Sequence, residues 1–384
     1  MPNVNQQNVA TAINNFFNSG GTLPPGFVNL FNLTGASLAN SLTQLSGESA
    51  TGAERSSVQL TNEFLSLMLD PYVAATGIAP AQPASPPPAV FKAPVFKAPV
   101  PTFEQRWTAW AAGFGGSGTA NGNPTIGSNN VTTSTFGYAA GMDYHYSPDT
   151  VLGFALAGGG TNWGLAQGLG GGTSDAFLAG VYGITRQGPV YLAGALAFAN
   201  NWFTTGRTAL GEPLNASFQG QNYAGRLEGG YRFAVPVASD TIGITPYAAI
   251  QAQDFHTPSY SETNATAGGF GLSYDARNGT DTRSEVGGRF DDQTTVNAMP
   301  VVLRAKAAWA HDWVSNPALN ASFESLPGAS FTVTGAPIPH DSALASASAQ
   351  LFFTPNWSLL AKFDGEFASG SQIYAGSGTL RYTW

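Results

Sequence analysis

SQIYAGSGTLRYTW, residues 371–384, closes a chain of 384 residues on an aromatic side chain. Counted back from the end, alternate positions are Trp384, Tyr382, Leu380, Gly378, Gly376 and Tyr374, with Thr383, Arg381, Thr379, Ser377 and Ala375 between them. One greasy face and one wet face with period two is the pattern of a strand whose faces meet different solvents. Two rings at one end of the apolar face fit the aromatic girdle of a membrane barrel. Taken alone, the stretch also suits the last strand of a soluble sandwich.

Composition moves the reading toward the membrane. Only 10% of residues are charged, 12% are aromatic and 47 are glycine, where a soluble domain carries about 25% charge. A net charge of -8 without a basic cluster gives a nucleic-acid role little support. With no cysteine there is no disulfide framework, thiolate zinc site or cysteine nucleophile. No run of about 18 apolar residues is present, which excludes an ordinary transmembrane helix but not a barrel. The first charge is Glu48, so no basic segment with an apolar core, as an export signal needs, precedes it.

Residues 106–384 hold twelve segments of strand type, at 106–115, 135–147, 150–163, 174–187, 190–203, 219–235, 242–255, 282–291, 300–313, 342–353, 357–367 and 372–384. An even count is what a closed antiparallel barrel requires. Short turns at 147–149, 187–188, 237–240, 291–294 and 354–356 alternate with long polar loops at 116–134, 160–173, 204–218, 256–281 and 314–341. Only the last connection, 368–371, is short where a long one is due.

Within the strands the charges keep to one face. Arg226, Glu228 and Arg232 alternate with Leu227, Gly229, Tyr231 and Phe233; Arg283, Glu285, Arg289 and Asp291 with Val286 and Phe290. Arg304 and Lys306 alternate with Leu303, Ala305 and Trp309; Lys362, Asp364 and Glu366 with Leu359, Phe363 and Phe367. With Arg381, eight of the fifteen basic residues fall on this face. Facing lipid at midplane, each charge would cost about 2–4 kcal/mol, so the wet face is expected to line the lumen.

Ahead of the strands, residues 1–78 read as helices. Val9, Ile13, Phe16 and Phe17 recur at helical spacing, and residues 42–73 carry Leu60, Phe64, Leu67 and Met68 as a stripe with Glu48, Glu54, Arg55 and Glu63 as charges. Residues 79–101 contain the tandem VFKAP repeat and read as an extended proline-rich spacer. The expected division is residues 1–41, a helical remnant of a passenger or adaptor; 42–78, a plug helix; 79–101, the linker; and 102–384, the barrel.

Catalytic signals are thin. Gly113, Gly115 and Gly118 match G-x-G-x-x-G without a following helix, the four histidines form no i, i+4 pair, and no G-x-S-x-G elbow occurs. His145 beside Asp143 reads as a hydrogen-bond network rather than part of a triad. No enzyme activity, metal or cofactor is expected.

The order SGE-bearing helix, spacer, RWTAWAAGFGG, FGYAAGMDYHYSPDTVLGFALAGG, ITPYAAIQAQDF, FGLSYDARNGTDTRSEVGGRFD and terminal LRYTW resembles the translocator domain of the autotransporters, the type V secretion proteins. The resemblance implies a twelve-stranded transmembrane β-barrel in a Gram-negative outer membrane, exporting an N-terminal passenger. It implies that residues 45–69 form a helix inside the barrel, and that Leu380, Tyr382 and Trp384 are the signal read by the barrel-assembly machinery. Expected partners are therefore outer-membrane lipid, that machinery and the chain's own passenger or helix, with no nucleic acid. Glu54, Arg55 and Glu63 become candidate partners for Arg226, Arg232, Arg283, Arg289 and Arg304. The alternatives are a small-solute channel and, further off, a barrel enzyme with a rim-borne serine.

Overall fold

The computed structural model describes residues 2–69, 106–237, 240–264, 268–297, 299–314 and 316–384. The expected spacer at 79–101 and residues 70–78 of the expected plug segment lie outside them. Each of the twelve strand segments is a strand: β1 Trp107–Ala120, β2 Val131–Ser147, β3 Thr150–Leu165, β4 Gly171–Gln187, β5 Val190–Ala209, β6 Glu212–Tyr231, β7 Asp240–Thr257, β8 Arg277–Val296, β9 Met299–Trp313, β10 Asp341–Phe352, β11 Trp357–Ala368 and β12 Ser371–Thr383. All neighbours are antiparallel, and β12 pairs with β1 from Thr383↔Thr108 to Ser371↔Ala120, closing a ring of 12 strands. Closure leaves no unpaired edge for lipid to meet.

The strands run further than their apolar pattern. The expected long loop at 204–218 is instead a hairpin, in which β5 and β6 pair out to Ala209↔Glu212 around Leu210 and Gly211. The expected turn at 291–294 likewise lies in strand, with pairing continuing to Val296↔Met299. The reason is that the alternation inverts rather than stops. On β6, Leu227 and Tyr223 face out and Glu228, Arg226 and Asn222 face in, whereas nearer the hairpin Leu214, Ala216 and Phe218 face in and Asn215, Ser217 and Gln219 face out. A strand leaving lipid for water above a plugged bore must exchange its greasy and wet faces.

The loop rim carries a small cap. Four short strands, Ser330–Thr334, Ala318–Phe323, Leu272–Tyr274 and Tyr260–Ser261, make a second sheet from the two longest connections. Helices α1 Val4–Asn18, α2 Pro25–Val28 and α3 Gly35–Leu45 pack on it. Val9, Ile13, Phe27, Leu42 and Leu45 share a core with Leu272, Phe323 and Val333, and Phe27 lies 4.9 Å from Phe270 and 5.1 Å from Phe323 between ring centroids. Asn3 caps α1 in a capping box with Gln6, and the Asn5 backbone N–H donates to Ile126 at 2.8 Å.

The helix expected over 45–69 is broken. Gly47 takes φ 67°, a left-handed conformation that turns the chain from α3 into the barrel mouth, and α4 runs over Gly52–Met68 only.

Candidate functional site

Helix α4 fills the lumen, its N-terminal end at the loop rim and its C-terminal end toward the turn rim. Its stripe Leu60, Phe64, Leu65 and Met68 is fully buried against an inner wall of small and apolar residues on β1 to β5, among them Trp110, Ala155, Leu178 and Ala195. The lumen is therefore only half wet, because an amphipathic helix needs an apolar wall for its stripe. That wall is rich in alanines, which sequence alternation alone does not mark as a seat.

The other half holds the charges. Arg226 pairs with Glu228 at 2.8 Å and Glu285 at 2.9 Å; Arg289 reaches Glu228 at 2.6 Å and Lys306 reaches Glu285 at 3.5 Å. Tyr191 donates to Glu228 at 2.7 Å, and Tyr247 donates to Glu285. Arg283 bridges Asp312 at 2.6 Å and Glu366 at 2.7 Å, Lys362 pairs with Asp364 at 3.2 Å, and Arg232 pairs with Asp291 at 2.6 Å. Arg304 donates to Gln350 at 2.9 Å. With Arg381, which pairs with Asp143 at 2.8 Å, all thirteen lumen positions named from the sequence are thus held in polar or ionic contacts, and wall charges satisfy wall charges.

The helix charges find other partners than those expected. Glu54 pairs with Arg277 at 3.0 Å. Arg55 donates to the carbonyls of Ala336 and Pro337 at 3.1 and 2.9 Å. Glu63 accepts from Thr135 at 2.6 and 2.8 Å and from Gln59 at 3.2 Å. The ion pairs of the expected partners run to wall residues instead: Arg226, Arg232, Arg283 and Arg289 reach carboxylates on β6, β8, β9 and β11, and Arg304 reaches the Gln350 amide. Mostly neutral amides join helix to wall: Gln251 and Gln253 both donate to Asn62 at 2.6 Å and Asn201 donates to Ser57 at 2.9 Å, while the Lys362 ammonium donates to Ser66 at 2.7 Å. Cavities of about 150 and 70 Å³ lie beside the helix in the bore.

At the turn rim Leu380, Tyr382 and Trp384 face outward in an aromatic belt. Trp357 lies 4.7 Å and Trp384 5.6 Å from Tyr382, and Trp107 lies 4.8 Å from Tyr144. Behind them Arg381 points inward to Asp143 at 2.8 Å. Asp143 also accepts from Tyr182, and His145 contacts Thr108 at 3.3 Å, so the Asp143–His145 pair belongs to a wall network. Among the described residues no group of three or more His, Cys, Asp or Glu side chains is placed to hold a metal.

A closed, girdled, helix-filled barrel whose charges face inward defines a membrane-spanning protein of the outer-membrane type. The autotransporter beta-domain model matches residues 109–364, more than half of the chain, and the chain belongs to that family. It is similar to the extracellular serine protease of Serratia marcescens, 24% identical over 269 residues that make up 69% of this chain and 25% of that protein, so the chain spans about a quarter of that relative. Among solved structures it shares the fold of the translocator domain of the autotransporter NalP from Neisseria meningitidis, with TM-score 0.59, 15% identity and coverage of 72% and 88% of the two chains. It also shares that of the beta domain of the Bordetella autotransporter BrkA, with TM-score 0.56, 17% identity and coverage of 73% and 100%. The protein is an outer-membrane translocator barrel of a Gram-negative bacterium.

Proposed function

We propose that the chain is seen in its exported state, with residues 2–51 passed through the barrel to the cell surface and α4 left behind as the plug. The direction of α4 carries this reading: the cap sits on the loop rim, and short turns of such barrels face the periplasm. A twelve-stranded bore takes one helix or one extended segment, between the side-chain-filled eight-stranded barrels and the open sixteen-stranded ones. Export then needs no chemical step by the barrel, and the amide-rich contacts between α4 and its wall form once passage ends. Leu380, Tyr382 and Trp384 act as the outward-facing recognition strand for the barrel-assembly machinery.

The test is a reporter fused ahead of Met1, with a signal peptide supplied, in Gram-negative cells. Protease added to intact cells should shave the reporter while the barrel stays protected. A reporter that remains periplasmic although the barrel assembles would leave a channel or a secretion-dead barrel. Planar-bilayer conductance separates those two, since a channel conducts strongly with residues 1–101 present.

A further inference from the structure

Over residues 44–52 the chain turns from the cap into the mouth, and the rim holds its backbone from several sides. Arg207 on β5 donates to the Gln44 carbonyl at 2.7 Å, Tyr274 donates to the Gly47 carbonyl at 3.2 Å, and Trp163 on β3 donates from Nε1 to the Ser49 carbonyl at 2.8 Å. Arg207 is fixed independently of that segment by bidentate bonds to Glu262 at 2.7 and 2.6 Å, both side chains being buried. The donors are thus largely built into the rim.

Two glycines let the segment seat. Gly47 lies at φ 67°, and a Cβ there would overlap the Tyr274 hydroxyl; a Cβ at Gly52 would overlap the Trp163 ring. Carbonyls recur at every residue, so the donors alone select nothing. A slide of one residue, however, brings Ser46 or Glu48 to Tyr274 and Thr51 or Ala53 to Trp163, and a Cβ then blocks both contacts.

We propose that Arg207, Tyr274 and Trp163 form a stop collar, positioning residues that set the register at which the exported chain comes to rest. The proposal rests on the reading that residues 2–51 cross the lumen. The collar holds the segment by its carbonyls, and the glycine pair marks which segment is held. α4 follows at a fixed distance and so meets its wall in register.

Register is read by cross-linking, made unambiguous by the absence of native cysteine. Ser56 Oγ and Thr161 Oγ1 are 3.2 Å apart, so Ser56→Cys with Thr161→Cys reports the seated register. Ala53→Cys or Leu60→Cys with Thr161→Cys reports a slide of about one turn either way. Tyr274→Phe with Trp163→Phe keeps an aromatic ring at each position, smaller at 163, and removes two donors. In the heat-resistant folded barrel of this variant the 56–161 cross-link should fall roughly tenfold, the size expected when a buried carbonyl loses its donor, and a 53–161 or 60–161 cross-link should appear. Gly47→Ala should do the same. A merely structural role would raise the protease sensitivity of the cap and leave the cross-link in place, and that result overturns the collar. A parent chain whose α1 never becomes accessible at the cell surface overturns the export reading and the collar with it. A surface-accessible α1 with an unmoved cross-link overturns the collar alone.

Discussion

Replacing Arg381 with methionine should loosen the barrel at its closing seam. Arg381 on β12 reaches over β1 to Asp143 on β2, at 2.8 Å. Its guanidinium lies 5.8 Å from the centre of the Trp110 ring, and Trp110 donates to Tyr182, which donates in turn to Asp143. Four strands are therefore tied together on the inner face of the one strand pair whose members come from opposite ends of the barrel sequence. Asp143 is 0% exposed and Arg381 6%, so removing the arginine strands a buried carboxylate at a cost of about 3–5 kcal/mol. Arg381→Met with Asp143→Asn removes both charges and keeps an acceptor for Tyr182, which limits the cost to about 1 kcal/mol. Urea unfolding of barrels reconstituted in lipid vesicles, followed by tryptophan fluorescence, measures both. A single variant within about 1 kcal/mol of the parent, or a double variant costing the sum of its two single changes, would refute the argument that a desolvated pair staples the seam.

Other outcomes follow from the same geometry. Burial pushes the Glu48 carboxyl from 4.5 up to about 7, against the lowering effect of its hydrogen bonds from Asn129. The folded cap thus binds this proton more tightly than the unfolded chain does. Its contribution, at most about 3 kcal/mol, is fully present below pH 4.5 and lost as pH rises through about 7; urea midpoints at pH 5 and pH 8 should differ in the parent and differ less in Glu48→Gln. Gly52→Val puts a side chain into the Trp163 ring, so α4 should fail to seat and single-channel conductance should rise above the parent's closed baseline. Tyr382→Ala with Trp384→Ala should lower the amount of assembled barrel in cells far more than it slows folding of the purified chain into lipid; equal effects would deny these residues a recognition role.

The strands were legible because lipid and lumen impose opposite demands on alternate residues, and 371–384 and 226–233 show both. Beyond the membrane those demands change. Phe203, Phe218 and Phe255 turn inward to meet one another at 5.2 and 6.0 Å between centroids, and the outward face turns to Thr, Ser, Asn and Gln, which reads locally as loop. The lumen charges could be found by face but not paired, since register decides which carboxylate each arginine meets. Arg207 and Glu262 left no trace of their pairing: 55 residues separate them, and only the folded cap brings them together. The break at Gly47 was hidden because periodicity on either side of a single left-handed residue is unaffected by it.

The direction of α4 is tested most directly by labelling introduced cysteines on intact cells, with a signal peptide supplied. Asn14, on the exposed face of α1, and Asp149, in the turn between β2 and β3, lie at opposite rims. A membrane-impermeant maleimide should label Asn14→Cys on intact cells and Asp149→Cys only after the outer membrane is permeabilised. Labelling of Asp149→Cys on intact cells, with Asn14→Cys protected, would place the cap in the periplasm and contradict the exported state.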